Sequence, residues 1–84
     1  MKQVYSDRAW DDYLNWLMND KRMLKKVNDL IKDINRNHHE GLGKPEPLRH
    51  SLPGFWSRRI NEEHRLIYRI VEDEIHIAQL RYHY

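Results

Sequence analysis

Apolar and polar residues alternate through Phe55–Arg69, FWSRRINEEHRLIYR. That period of two predicts two short strands joined by the polar turn Asn61-Glu62-Glu63. Aromatic and β-branched residues alternate with arginines, the pattern of a sheet with one buried and one exposed face. Pairing Ile60 with His64 across the turn sets Arg59 opposite Arg65. Like charges directly opposed on a sheet repel. Such a placement is easiest to tolerate when an anion sits between them. The plainer alternative is that both arginines are solvated or pair with Glu62 and Glu63.

The same reading covers the rest of the chain. Lys2–Tyr5 alternates and predicts a strand. Ser6 stands at an N-cap position, with Asp7 in the first turn of a helix. That helix sets Trp10, Tyr13, Leu14 and Leu17 on one stripe, with Trp10 and Trp16 as core and rim. Asn19 and Asp20 break and recap the chain. A longer helix then turns Leu24, Val27, Leu30, Ile31 and Ile34 inward. Its outer residues Lys21, Arg22, Lys25, Lys26, Asp29, Lys32 and Asp33 form either a solvated face or a contact for a large polyanion. Two apolar stripes need a sheet to lie on.

Residues 37–53 hold two of the three glycines and all three prolines, so they predict a long connection and neither a helix interior nor a central strand. Pro45 and Pro47 flank Glu46 and stiffen the backbone that aims it. Such long loops are commonly functional. Glu72-Asp73-Glu74 reads as an acidic turn before a last strand, Ile75–Tyr84. Pairing Val71 with Ile75 would set Arg65 opposite Arg81 and His83 on the same side, a register that one residue of slip would undo. Leu66, Tyr68, Ile70, Ala78, Leu80 and Tyr82 would then form the core face, leaving Ile67, Ile75 and Ile77 half-exposed or covered by a partner.

At 84 residues the chain predicts a single domain, 1–84, with a modest core and no room for an enclosed cofactor. It has no cysteine, no apolar run of membrane-spanning length and no signal-peptide core, which together favour the cytoplasm and no membrane partner. The net charge of +2 does not announce a nucleic-acid binder. Placement changes that picture. Lys44, Arg49, Arg58, Arg59, Arg65 and Arg69 outnumber Glu46, Glu62 and Glu63 in the stretch 44–69. Arginine is the side chain suited to gripping phosphate in fixed geometry.

Glu46, Arg59, Arg65, Arg81 and His83 thus converge as a carboxylate, guanidinium groups and an imidazole. That set fits RNA cleavage without a metal. The carboxylate takes the 2′-hydroxyl proton, the arginines hold charge on the phosphorane, and the imidazole protonates the departing 5′-oxygen. No metal site is indicated: His38 and His39 are adjacent, and no HExxH or cysteine set is present. Gly41, Gly43 and Gly54 match neither nucleotide fingerprint, and Ser51 and Ser57 have no nucleophile elbow. His50 and His64 read as polar or core-edge residues.

The WDDYL helix, the KRMLKKVNDLIKDI helix, the run GKPEPLRHSLPGFWSRRINEEHRLIYR and the ending RYHY together resemble the YoeB toxins, RelE-like members of bacterial toxin–antitoxin systems. The resemblance spans nearly the whole chain. It implies an α+β fold, β-α-α-β-β-β, with two helices on a twisted, mostly antiparallel sheet. It implies an endoribonuclease that cuts messenger RNA in the A site of the bacterial 70S ribosome and so inhibits translation. By the same resemblance Glu46, Arg65, His83 and Tyr84 are catalytic and Lys44, Arg49 and Arg59 hold RNA phosphate; the strand register above adds Arg81 to the phosphate-holding set. Arg49 stands where a lysine is also seen, which keeps charge and changes hydrogen-bond geometry. No cofactor is implied. A homodimer and a YefM-like antitoxin over the arginine face are. The alternative is a non-catalytic RNA- or partner-binding module using that same face.

Overall fold

The computed structural model describes residues 1–50 and 52–82. The chain runs β1 (Lys2–Tyr5), α1 (Asp7–Asn19), α2 (Lys21–Asn37), β2 (Glu46–Pro47), β3 (Trp56–Arg59), β4 (Arg65–Val71) and β5 (Glu74–Gln79). The strands make one sheet in the order β1-β5-β4-β3-β2. β1 pairs parallel with β5; the other neighbours are antiparallel. Both helices lie on one face. Ala9, Trp16, Val27, Leu30, Ile31 and Ile34 close a single core against Leu66, Tyr68, Ile75, Ile77 and Leu80. This is the α+β arrangement expected from the pattern, with β2 added as a two-residue edge strand inside the proline-rich connection. An edge is where a strand tolerates proline, because the missing N–H would face solvent.

Ser6 caps α1 by accepting the Ala9 N–H at 3.0 Å, an interaction of about 1 kcal/mol. Asp20 joins the helices alone. Its N–H ends α1 on Trp16 O, and its carboxylate opens α2 on the N–H groups of Arg22 and Met23. In α2 the inward residues are Met23, Val27, Leu30, Ile31 and Ile34, with Leu24 half-buried, close to the expected stripe.

The face of α1 differs from expectation. Trp10 is 48% exposed and Trp16 7% exposed, the reverse of the core-and-rim assignment. The buried residues are Ala9, Asp12 and Trp16, while Leu17 is exposed. The cause is polar. Asp12 Oδ2 accepts the N–H of Leu80 at 3.0 Å, and Trp16 Nε1–H donates to Leu80 O at 2.9 Å. Both backbone groups of a buried residue just past β5 are therefore satisfied by α1, and leaving either unpaired would cost about 1–3 kcal/mol. The helix turns to make those bonds. Trp10 instead stacks on Tyr13 at 5.6 Å and meets Tyr5 edge-on.

The β4–β5 register also differs. Val71 pairs with Glu74, and Ile70 with Ile75, one residue tighter than expected. Further along, Tyr68 pairs with Ile77 and Ile67 with Gln79, so Ala78 is an extra residue that bulges out, and at Ile67–Gln79 the expected register returns. The bulge changes which parity faces the helices. Ile75 and Ile77 before it, and Leu80 after it, all reach the core beside Leu66 and Tyr68. The expected half-exposure of Ile75 and Ile77 is thereby overturned. Ile67 is also buried, while Ala78 and Ile70 are half-buried and Tyr82 is exposed. β5 stops at Gln79, short of the expected strand to residue 84.

Candidate functional site on the open face of the sheet

The site begins with the loop after α2, which a buried arginine holds. Arg58 has no exposed surface. Its Nη2 donates to His38 O and Glu40 O at 2.9 and 2.7 Å, and its Nη1 to Leu42 O at 3.0 Å and to the Asp33 carboxylate. Its Nε donates to Tyr68 Oη at 3.2 Å, and that hydroxyl donates on to His38 O at 2.8 Å. Burial alone would raise the Asp33 carboxyl. The hydrogen bonds from Arg58, Leu42 N–H and Asn37, with the Arg58 charge, outweigh it and hold Asp33 below the ordinary carboxylate value. Burial lowers the His39 imidazole, as do the charges of His38 and Arg58; its ring stacks on Trp56 at 4.3 Å.

Two glycines let this loop close. Gly41 sits at φ 104°, where a Cβ would collide with Asp33. Gly43 sits at φ 79°, where a Cβ would meet Arg59 O and Leu30 Cδ2 at 2.9 Å each. Gly43 O accepts the Arg59 N–H at 2.7 Å, which ties the loop to β3. Lys44 follows at φ 51°, and then Glu46 enters β2 opposite Ser57. The stiffness that aims Glu46 thus comes from Arg58 and the glycines as well as from the flanking prolines.

Strand alternation now places the charges. Arg58, Leu66 and Tyr68 face the helices, so their neighbours Ser57, Arg59, Arg65 and Ile67 face the other way. Glu46 pairs with Ser57, Ser57 with Ile67, and Ile67 with Gln79, forming one rung across four strands. Arg59 and Arg65 form the next rung, as expected. Glu46 and Arg59 are diagonal neighbours, a spacing of about 7–8 Å between Cα atoms that long side chains bridge. One Arg65 nitrogen, Nη1, is fixed by Asn61 O, Glu62 O and His64 O at 2.7, 3.0 and 3.1 Å. These are carbonyls of the turn, so the expected alternative of Glu62 and Glu63 carboxylates is not what holds it. None of the ion pairs among the described residues involves Glu46, Arg59 or Arg65.

The other predicted residues are distributed around this pair of rungs. Lys44 and Arg49 are exposed on either side of β2. Arg81 is half-buried, with its guanidinium 5.7 Å from the Trp16 ring and 4.9 Å from that of Tyr82. His83 and Tyr84 lie outside the described residues. Arg58 leaves the phosphate-gripping cluster altogether, since it is a core residue. Alternation with Trp56 and Ile60 was the available signal for that. Asp12, above, went unnoticed in the sequence; His64, read there as a polar or core-edge residue, is 8% exposed and accepts the Tyr82 N–H. Among the described residues no three histidines or carboxylates come together to hold a metal ion, and no helix is long and apolar enough to cross a membrane.

Fold and face together define a small α+β protein that presents, on the sheet face away from the helices, two opposed arginines and a carboxylate with no ion pair among the described residues. Residues 5–84 match the profile of the YoeB-like toxin of bacterial type II toxin–antitoxin systems. The chain is 60% identical over 84 residues to Toxin YoeB of Escherichia coli K12, with all of both chains covered. It superposes on a YoeB/ParE toxin from Agrobacterium tumefaciens with a TM-score of 0.97 at 46% identity, again with full coverage of both. It is 48% identical to the toxin in a YoeB dimer and in a heterotetrameric YoeB–YefM complex, both from Staphylococcus aureus, with TM-scores of 0.94 and 0.93. All of this chain and 98% of each of those chains are covered. The chain belongs to the YoeB family of type II toxins.

Proposed function

We propose that this toxin is an endoribonuclease that cuts messenger RNA in the ribosomal A site by attack of the RNA's own 2′-hydroxyl. The observation that carries the reading is Glu46, with no ion pair among the described residues, one rung from the opposed pair Arg59 and Arg65. Glu46 removes the 2′-hydroxyl proton, and the 2′-oxygen forms a bond to phosphorus. Arg65, fixed by three carbonyls, and Arg59 hold the charge that builds on the non-bridging oxygens. The P–O5′ bond breaks with its electron pair on the 5′-oxygen, which takes a proton from His83, with Tyr84 beside it in sequence. The products are a 2′,3′-cyclic phosphate and a 5′-hydroxyl. The substrate supplies the nucleophile, and the mechanism assigns no step to a metal or cofactor. Lys44, Arg49 and Arg81 supply further cationic contacts to RNA.

A modest net charge of +2 fits a nuclease that relies on the 70S ribosome to position its substrate. The Staphylococcus aureus relatives, one a YoeB dimer and one a YoeB–YefM complex, support a YefM-like antitoxin and a homodimer as partners. An acidic segment over Arg59 and Arg65 would relieve their repulsion. The exposed edge of α1 at Trp10 and Leu17 offers an apolar surface for a second copy. The deciding experiment places a 2′-deoxynucleotide at the cut position of a message on programmed ribosomes. Cleavage is expected to stop, and persistence of cutting refutes the mechanism. Ribosome binding with no cleavage by the unaltered protein would favour a purely binding module.

A further inference from the structure

His64 occupies the join between the β3–β4 turn and β4, with its ring edge-on to Trp16 at 4.9 Å. Its Nδ1 accepts the Tyr82 N–H at 2.8 Å. A nitrogen that accepts carries no proton, so the ring's N–H is on Nε2. Nε2 lies 3.3 Å from Glu63 Oε1, a carboxylate that selects the same tautomer. The carbonyl of Tyr82 is held as well, by Arg65 N–H at 3.1 Å and by Gln79 Nε2 at 3.4 Å. Arg81 O takes Gln79 Nε2 at 3.0 Å and Arg8 Nη2 at 3.4 Å. Tyr82 itself sits at φ 65°, a region that residues other than glycine occupy only when their surroundings impose it. Both backbone groups of Tyr82 are therefore gripped by residues 64 and 65.

We propose that His64 is a positioning residue: as the neutral Nε2–H tautomer it clamps the Tyr82 N–H and so fixes, relative to Arg65, the backbone from which residue 83 departs. The consequence for cleavage rests on the reading of His83 as general acid; the clamp does not. Arg65 belongs to both halves of the arrangement. Its guanidinium stands on the open face, and its N–H holds the tail. A histidine is suited to this place because its acceptor is rigid, and burial against Trp16 keeps water from competing for the N–H.

The test compares the unaltered protein with His64→Leu, which removes the acceptor at similar volume, and His64→Asn, whose Oδ1 can stand where Nδ1 does. Imidazole ¹⁵N spectra of the unaltered protein should show Nδ1 as the unprotonated nitrogen. A proton on Nδ1 overturns the proposal. In His64→Leu the Tyr82 amide should exchange at least about tenfold faster. On programmed ribosomes kcat should fall roughly 10- to 100-fold with KM nearly unchanged, the pattern of a misplaced catalytic group. His64→Asn should restore most of both. A folded His64→Leu protein with wild-type kcat overturns the positioning role. Should His64→Leu fail to fold, the spectra still decide the tautomer, and an Asn variant with normal stability, a slow Tyr82 amide and normal kcat supports the clamp, whereas loss of that protection with normal kcat overturns it. If His83→Ala cleaves as well as the unaltered protein, the nuclease mechanism fails, while the ring spectra and amide exchange still judge the clamp.

Discussion

Arg58 and Arg59 are chain neighbours with opposite fates. Arg58 points toward the helices, has no exposed surface and satisfies its donors on Asp33, Tyr68 and three loop carbonyls. Arg59 points the other way, is exposed, and has Arg65 directly opposite. One guanidinium is structure and the other is unspent binding capacity. The pleat alone separates them, because successive side chains on a strand leave opposite faces. A protein that must keep cations ready for an anionic substrate needs other groups to hold its shape. Here the buried arginine closes the loop that presents Glu46, while the exposed Arg59 has no ion pair among the described residues.

The largest effect that tests this division is on Arg58. Arg58→Leu leaves the half-buried Asp33 carboxylate without its cation, takes the Arg58 donor from Glu40 O and Leu42 O, and leaves His38 O to the Tyr68 hydroxyl. Removing one member of a buried ion pair costs about 3–5 kcal/mol, and for a chain this short that is much of the total stability. Urea unfolding should show the loss as a lower midpoint. A change below about 1 kcal/mol would mean that the loop does not depend on Arg58.

A smaller effect concerns the other member of that pair. The Asp33 carboxyl is held below its ordinary value in the folded chain, so between the folded and unfolded values the unfolded chain binds more protons. The stabilisation is complete above the unfolded value of about 4. It is lost as pH falls through the lower folded value. The unaltered protein should therefore be more stable than Asp33→Asn at neutral pH, and the gap should narrow as pH drops below about 4. Urea midpoints from neutral to acid pH measure it. A gap independent of pH would show that the carboxylate's charge is not what Arg58 holds.

The division between faces was legible only in part. Register across β3 and β4 could be read because Asn61 makes the turn, its side chain accepting the N–H groups of Glu63 and His64 at 2.9 and 2.7 Å, and because aromatic and arginine positions alternate. The bulge at Ala78 was not legible: no glycine marks it, and its effect is to move Ile75 and Ile77 from one face to the other. The rotation of α1 depends on a carboxylate, Asp12, reaching the backbone of Leu80, 68 residues away. A periodicity of apolar residues carries no record of such a bond. The inward turn of Arg58 was written in the alternation, but charge argued for the surface, and only the loop carbonyls show why burial is tolerated. Glu46 was singled out for its prolines, although its pairing with Ser57 gives the closer account of where it points.

The smallest expected effect is also the one that isolates the open face. Arg59→Ala removes one of two like charges placed opposite each other, with no ion pair lost among the described residues. At low ionic strength the variant should equal or exceed the unaltered protein in stability by up to about 0.5 kcal/mol. The difference should fade near 1 M salt, where the Debye length falls to about 3 Å. The sign should reverse when an RNA oligonucleotide is present in excess, because an anion bound between the arginines stabilises the chain that has both of them. Urea midpoints at low salt, at high salt and with the oligonucleotide give the three values. A variant less stable by more than about 1 kcal/mol at low salt would mean that Arg59 already has a partner in the folded chain. The contrast with Arg58 would then be one of degree, and the open face would owe its readiness to something other than unspent charge.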